Sequence, residues 1–195
     1  MSQRKPGLLC EYLMQKWSKA MTLAEARILD VGCEKGIISK QLTPYIAGYI
    51  GLDFNLDKDE RNTHSKRKFV RGRGEEMPFA SKTFDIVFFS QSWHLMEDHQ
   101  KVLQEAKRVL KENGLISILE AAQENENWKS PSLRKGDRSF SPLAYIHKIN
   151  LLQQAEHYLE TQEDFEIVEK QRIEIPVPII PPQATLNYWT LKPRA

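Results

Sequence analysis

The stretch RILDVGCEKG, Arg27 to Gly36, constrains the fold more than any other part of the chain. An apolar run of strand length ends in Asp30, and two glycines follow at Gly32 and Gly36. A short continuous apolar run reads as a strand buried on both faces. Glycines directly behind it mark a loop in which backbone turns sharply or approaches another group closely. The next segment, IISKQLTPYI, predicts a helix that stops near Pro44. A strand, a glycine loop and a helix in that order are the first unit of a parallel sheet.

The rest of the chain repeats the alternation. GLLCEYLMQKWSKAM sets Leu8, Leu9, Tyr12, Leu13 and Trp17 at helical spacing, predicting an amphipathic first helix. GYIGLDF reads as a second strand, VRGRGEEMPF as a third running into a loop, and FDIVFFSQ as a fourth. DHQKVLQEAKRVLKENG is the clearest helix, with Val102, Leu103, Ala106, Val109 and Leu110 as its apolar stripe and Asn113-Gly114 as its expected end. LISILEA is a fifth strand. A long polar stretch without periodicity follows, then the helix LAYIHKINLLQQAEHYL and the strands FEIVEKQRIEI and ATLNYWTLK. Prolines at 176, 178, 181 and 182 separate these two late strands, which are expected to pair antiparallel at one sheet edge.

At 195 residues the chain suits one domain with a substantial core. A formal net charge of +2 is too small to argue for nucleic acid or a membrane surface. Two cysteines, Cys10 and Cys33, lie far apart without metal-ligand spacing, so a reducing, cytoplasmic location is expected and neither a disulfide framework nor a metal site. The N-terminus lacks a signal-peptide pattern, and no apolar run reaches the ~20 residues that span a bilayer.

Function enters at the strand ends. A glycine loop between strand and helix brings backbone N–H groups to a ligand. Asp53 ends the second strand about 20 residues beyond the loop, the spacing at which an acidic residue accepts hydrogen bonds from ribose hydroxyls. Strand ends in open α/β sheets converge on one ligand crevice.

Four patches, ILDVGCEKG, YIGLDF, GRGEEMPFASKTFDIVFFS and EAKRVLKENGLISILE, together resemble the class I S-adenosylmethionine-dependent methyltransferases. They are most similar to the small branch that includes the quinone-biosynthesis C-methyltransferases. The resemblance runs from about Arg27 to Glu120 and continues by element order to the C-terminus. It implies a Rossmann-like, doubly wound α/β fold: a mostly parallel seven-stranded sheet with an antiparallel edge strand and helices on both faces. One domain is expected over residues 1–195. It divides into an N-terminal helix (1–26), a cofactor-binding core (27–120), a lid over the acceptor (121–142) and a helix with the late strand pair (143–195).

The resemblance also implies site residues. Asp30 would lie near the methionine amine of S-adenosylmethionine, with Gly32, Cys33 and Gly36 shaping the loop beneath the amino-acid tail. Asp53 would take the ribose, Phe54 the adenine face, and Gly74 and Glu75 the adenine edge. Ser90 and Gln91 would line the floor. Two positions depart from the family pattern: Glu34 stands at the middle glycine, and Arg73 where an aspartate often meets the adenine amino group. Arg73 cannot accept a hydrogen bond, so that contact is absent or moves to Glu75.

Methyl transfer is an in-line displacement that depends mainly on alignment. A general base helps when the acceptor is a hydroxyl or an acidic carbon. His94, after the fourth strand, and Glu120, at the end of the fifth, are the candidate catalytic residues. Trp93 is a candidate wall or stacking residue. Basic residues of the 121–142 segment, such as Arg134, Lys135 and Arg138, would suit an anionic small-molecule acceptor. The proline-rich edge would support a homodimer. No nucleic-acid appendage and no adenine or cytosine methylation motif is present. The loop GCEKGI does not supply the G-x-G-x-x-G of a nicotinamide dehydrogenase. The rival reading is a methyltransferase-like binding or scaffold protein without catalysis, motivated by Glu34 and Arg73.

Overall fold

The computed structural model describes residues 6–56, 65–122, 142–176 and 183–194. Seven strands form one sheet: β1 (Arg27–Val31), β2 (Gly48–Asp53), β3 (Arg67–Arg71), β4 (Phe84–Ser90), β5 (Leu110–Ala121), β6 (Phe165–Pro176) and β7 (Gln183–Pro193). Their order is β3-β2-β1-β4-β5-β7-β6. β1 pairs in parallel with β2 and β4, β2 with β3, and β4 with β5. β7 runs antiparallel between β5 and β6, so the reversed strand lies one place inside the edge. The order reverses at β1, which puts the ends of β1 and β4 at the switch point.

The period-two pattern of the strands builds two cores. Ile28, Ile86 and Phe88 face α1 (Leu8–Trp17), whereas Leu29, Val87 and Phe89 face α3 (His99–Val109) and α4 (Pro142–Thr161). On the first face Trp17 meets Phe88 edge-on at 5.3 Å and donates its indole N–H to Ser117 Oγ at 3.1 Å. On the second, Trp93 is fully buried and donates to the Ala155 carbonyl at 3.1 Å. Trp93 is therefore core, not a wall of the crevice.

Several boundaries differ from expectation. α1 buries Cys10, Leu13 and Trp17, while Leu8 stays exposed. α2 is one turn, Ser39–Leu42, continued as a 3-10 turn over Thr43–Tyr45, because Pro44 has no N–H to extend the ladder. β3 begins at Arg67, before the apolar residues that suggested it. α3 ends at Val109 rather than at Asn113-Gly114: Leu110 turns to extended backbone and already pairs with Phe84. Gly114 lies inside β5, where an added Cβ would come within 2.9 Å of the Asp85 carbonyl. Its role is close backbone approach at an irregularity in the β4–β5 register, between Phe84 and Ile86.

The loop Met77-Pro78-Phe79 is fastened from α3. Arg108 donates to the Phe79 and Met77 carbonyls at 2.7 and 2.8 Å, and Glu105 accepts from the Met77 N–H at 2.8 Å. The start of α3 is capped by Asp98, whose carboxylate accepts the Lys101 N–H at 3.0 Å. Asp98→Ala should lower stability by about 1 kcal/mol in denaturant unfolding; an unchanged midpoint would show that the cap contributes nothing.

Candidate functional site

At the carboxyl end of β1 the chain enters its glycine loop. Gly32 and Gly36 both have positive φ, 73° and 58°. A Cβ on Gly32 would overlap Ser92 Cβ at 2.4 Å, and one on Gly36 would overlap the Phe69 ring at 2.4 Å. Both glycines are required twice, by conformation and by space. Between them Glu34 also adopts positive φ, 47°, with an exposed side chain. Its conformation is the glycine-like one, and its carboxylate lies at the surface. The Glu34 N–H donates to Asp53 Oδ2 at 2.9 Å, which ties the loop to the end of β2. Cys33 is buried, with Sγ against Gly51 of β2.

Asp30 is the electrostatic centre of this region. It follows Ile28 on the α1 side of β1 and is buried. Oδ2 accepts the Tyr49 hydroxyl at 2.5 Å, and Oδ1 has no hydrogen-bond partner among the described residues. Burial pushes the Asp30 carboxyl up to about 7 and the Asp53 charge adds to the rise, while the Tyr49 hydrogen bond opposes it. Tyr49 is itself driven well up, by burial first and then by the Asp30 charge.

Asp53 holds a more open position. Its two oxygens accept the Glu34 and Asn55 N–H groups, each at 2.9 Å, which leaves further lone pairs on a half-buried carboxylate. Phe54, next to it, is 65% exposed, an aromatic face at the crevice side of a strand end. Gly74 is buried, and a Cβ there would meet Met96 Sδ at 3.0 Å. Glu75 Oε1 accepts the Glu97 N–H at 3.0 Å, and Arg73 bridges to Glu97 at 2.6 Å with Glu75 3.6 Å away. Arg73 is thus turned onto acidic neighbours.

The floor comes from the end of β4. Ser90 is half-buried; Gln91 is exposed with φ 53° and donates its N–H to the Leu119 carbonyl at 2.7 Å. Ser92 Oγ donates to the Val31 carbonyl at 2.5 Å, joining this turn to the β1 loop. Beyond it, His94 Nδ1 lies 2.8 Å from Glu120 Oε2, and the His94 N–H donates to Glu120 Oε1 at 3.2 Å. Both side chains are 4% exposed.

The structure therefore joins Asp30, Gly32, Cys33, Gly36 and Asp53 through the loop, and His94 with Glu120 as a direct pair. Phe54, Gly74 and Glu75 flank the loop on the β2 and β3 side. Sequence reasoning missed Tyr49, Phe69, Ser92 and Met96. Only Tyr49, a polar group two residues into an apolar strand, carried a visible signal. The expected lid at 121–142 lies almost wholly outside the described residues, as does the proline segment from 177.

Asp30 makes stability depend on pH. A carboxyl that keeps its proton to higher pH in the fold contributes fully below its ordinary value of 3.8 and loses that contribution as pH rises through about 7. Asp30→Asn removes this slope, so between pH 5 and 8 the variant should gain in Tm on the native protein. A Tm difference that stays constant over that range would contradict the assignment.

Comparison with known proteins matches residues 29–118 to a family model described as a methyltransferase domain. An uncharacterized methyltransferase of Bacillus subtilis, YcgJ, is 30% identical over 105 residues, 50% of this chain and 41% of that protein. A demethylmenaquinone methyltransferase of Lactobacillus johnsonii is 32% identical over 127 residues, 59% of this chain and 50% of that protein. The chain thus spans half the length of these relatives or less. A SAM-dependent methyltransferase from Aquifex aeolicus, known by crystal structure, superposes with TM-score 0.59 at 14% identity, over 93% of this chain and 88% of that one. At that identity the likeness is one of fold.

Proposed function

We propose that the chain is a class I S-adenosylmethionine-dependent methyltransferase, a reading supported by the match of residues 29–118 to a methyltransferase domain, and that it transfers a methyl group to a small-molecule acceptor in the crevice at the ends of β1, β2, β4 and β5. The observation that carries the reading is Asp30 Oδ1, without a partner among the described residues and buried beside a glycine loop of positive φ. A buried carboxylate oxygen without a donor fits an ammonium group, and the methionine half of the cofactor has one.

The other residues fit the same molecule. Asp53 keeps free lone pairs for ribose hydroxyls, and the exposed Phe54 ring offers a face for adenine. Arg73, committed to Glu97, leaves the adenine edge to Gly74 and Glu75. Glu34 accepts the glycine conformation, sends its N–H to Asp53 and its carboxylate to solvent, so the loop keeps its shape. S-adenosylmethionine, when bound, supplies a methyl group on an electrophilic sulfonium. The chain's contribution is to orient that group and the acceptor and to exclude water. The use of just two cysteines, Cys10 and Cys33, both buried, supports a reducing compartment, and the cytoplasm is the proposed location. No helix among the described residues is long and apolar enough to cross a membrane.

Calorimetric titration with S-adenosylmethionine tests the reading. The native protein should bind, and Asp53→Ala should weaken binding by about 1.5–3 kcal/mol, roughly ten- to a hundredfold. Glu34→Gly should improve it tenfold at most. Absence of binding in the native protein, restored by Glu34→Gly, would favour a scaffold without catalysis.

Affinity should also follow Asp30. It should rise with pH through about 7 as the carboxyl ionises, and level off near 8, where an α-amino group begins to lose its own proton. Asp30→Asn should remove the rise. The same rise in Asp30→Asn would assign it to another group.

A further inference from the structure

We propose that His94 and Glu120 form a general-base dyad and that the acceptor is methylated on a phenolic or enolic hydroxyl. The inference rests on the methyltransferase reading above and names its substrate class.

Glu120 is a buried carboxylate near the end of β5, and one residue satisfies both of its oxygens. His94 gives its backbone N–H to Oε1 and presents Nδ1 to Oε2 at 2.8 Å. A carboxylate in that position makes Nδ1 the protonated nitrogen and fixes the ring plane. The basic lone pair then lies on Nε2, which makes no hydrogen bond to any described residue. A carboxylate that orients an imidazole so that the far nitrogen can take a proton is the arrangement used to activate hydroxyl nucleophiles.

The location matches the role. β4 and β5 are adjacent and parallel, with Ser90 beside Leu119, so His94 and Glu120 stand at the same end of the sheet. Ser92, two residues before His94, is hydrogen-bonded to the end of β1 and touches Gly32 of the loop. The turn that carries His94 is thus fixed to the loop proposed to hold the methyl donor. His94 is also held from the second core: Trp93 is anchored to α4, and His99 Nε2–H donates to the Trp93 carbonyl at 3.1 Å.

The step balances without a co-reactant. The acceptor's O–H proton moves to His94 Nε2 while its oxygen electron pair forms the new bond to the methyl carbon. The methyl–sulfur bond breaks with its pair left on sulfur. His94, now an imidazolium facing the Glu120 carboxylate, passes the proton to water. Thiols ionise readily and unprotonated amines attack through a free lone pair, so neither needs such a base as a hydroxyl does; an acidic carbon also needs one, and a C-methyl rather than O-methyl product from the 1,3-diketone would overturn the hydroxyl assignment.

The test offers tritiated S-adenosylmethionine with a catechol, an enolic 1,3-diketone, a thiol and a primary amine. Label should enter the hydroxyl acceptors. His94→Ala should lower kcat at least a hundredfold with unchanged cofactor affinity by calorimetry, and added imidazole should restore part of it. His94→Gln, which keeps side-chain size and hydrogen bonding, should be as inactive but not rescued. Glu120→Gln, a change to a positioning residue, should lower kcat about tenfold with little change in KM. Label in thiols or amines alone, no label in any acceptor, or full kcat in either folded His94 variant overturns the dyad while cofactor binding stands. A native protein that binds no cofactor removes both this proposal and the one it rests on.

Discussion

The site is organised around a carboxylate held where water cannot solvate it. Asp30 lies one residue before the end of β1 on a buried face, and the only donor it has among the described residues is the Tyr49 hydroxyl on the neighbouring strand. A fully satisfied carboxylate there would be a structural group and nothing more. One oxygen without a partner among the described residues keeps the charge available to a cation, and burial raises the carboxyl's protonation range towards neutrality. Strand pairing places Tyr49 opposite Ile28, two positions before Asp30, so the β1–β2 register itself delivers the hydroxyl. Stability and ligand affinity therefore draw on the same residue in opposite ways, a common property of binding sites.

The glycine loop shows how a sequence departure is absorbed. Positive φ at a non-glycine residue carries strain of about 1–3 kcal/mol. Here the strained residue gains a charge-assisted hydrogen bond from its own N–H to Asp53, which partly offsets it. The same bond fixes the distance between loop and ribose-binding candidate, so the departure has been built into the site. Arg73 is absorbed differently, by pairing with its acidic neighbours Glu97 and Glu75.

Much of this was legible in the sequence because it depends on local chemistry. Apolar runs marked strands buried on both faces, and Gly32, Gly36 and Asp53 marked the loop and its partner by spacing. What stayed hidden depends on tertiary approach. Asn113-Gly114 looks like a helix end, yet pairing of Leu110 with Phe84 stops α3 earlier and recruits Gly114 into β5. Ser92, Met96 and Phe69 matter because glycines in other elements leave room for them, and no pattern within their own segments reports that. His94 and Glu120 were each visible as a residue at a strand end. That they meet follows from the parallel pairing of β4 with β5, which periodicity alone does not specify.

The two halves of the crevice are coupled through one short turn. Residues 91 to 96 supply the positive-φ Gln91, the Ser92 bond to β1, the buried Trp93, His94 itself and Met96 against Gly74. The β1 loop and Gly74 fix this turn through Ser92 and Met96, and α4 fixes it through Trp93 and the stacked rings of His99 and Tyr158, 5.4 Å apart. Burial lowers the protonation range of His99, which keeps that ring neutral and able to pack there. An imidazole set between two such anchors has little rotational freedom, and a transferred proton demands a fixed direction as well as a basic atom. In the proposed mechanism, rigidity at this turn is the physical link between holding a methyl donor and choosing what receives the methyl group.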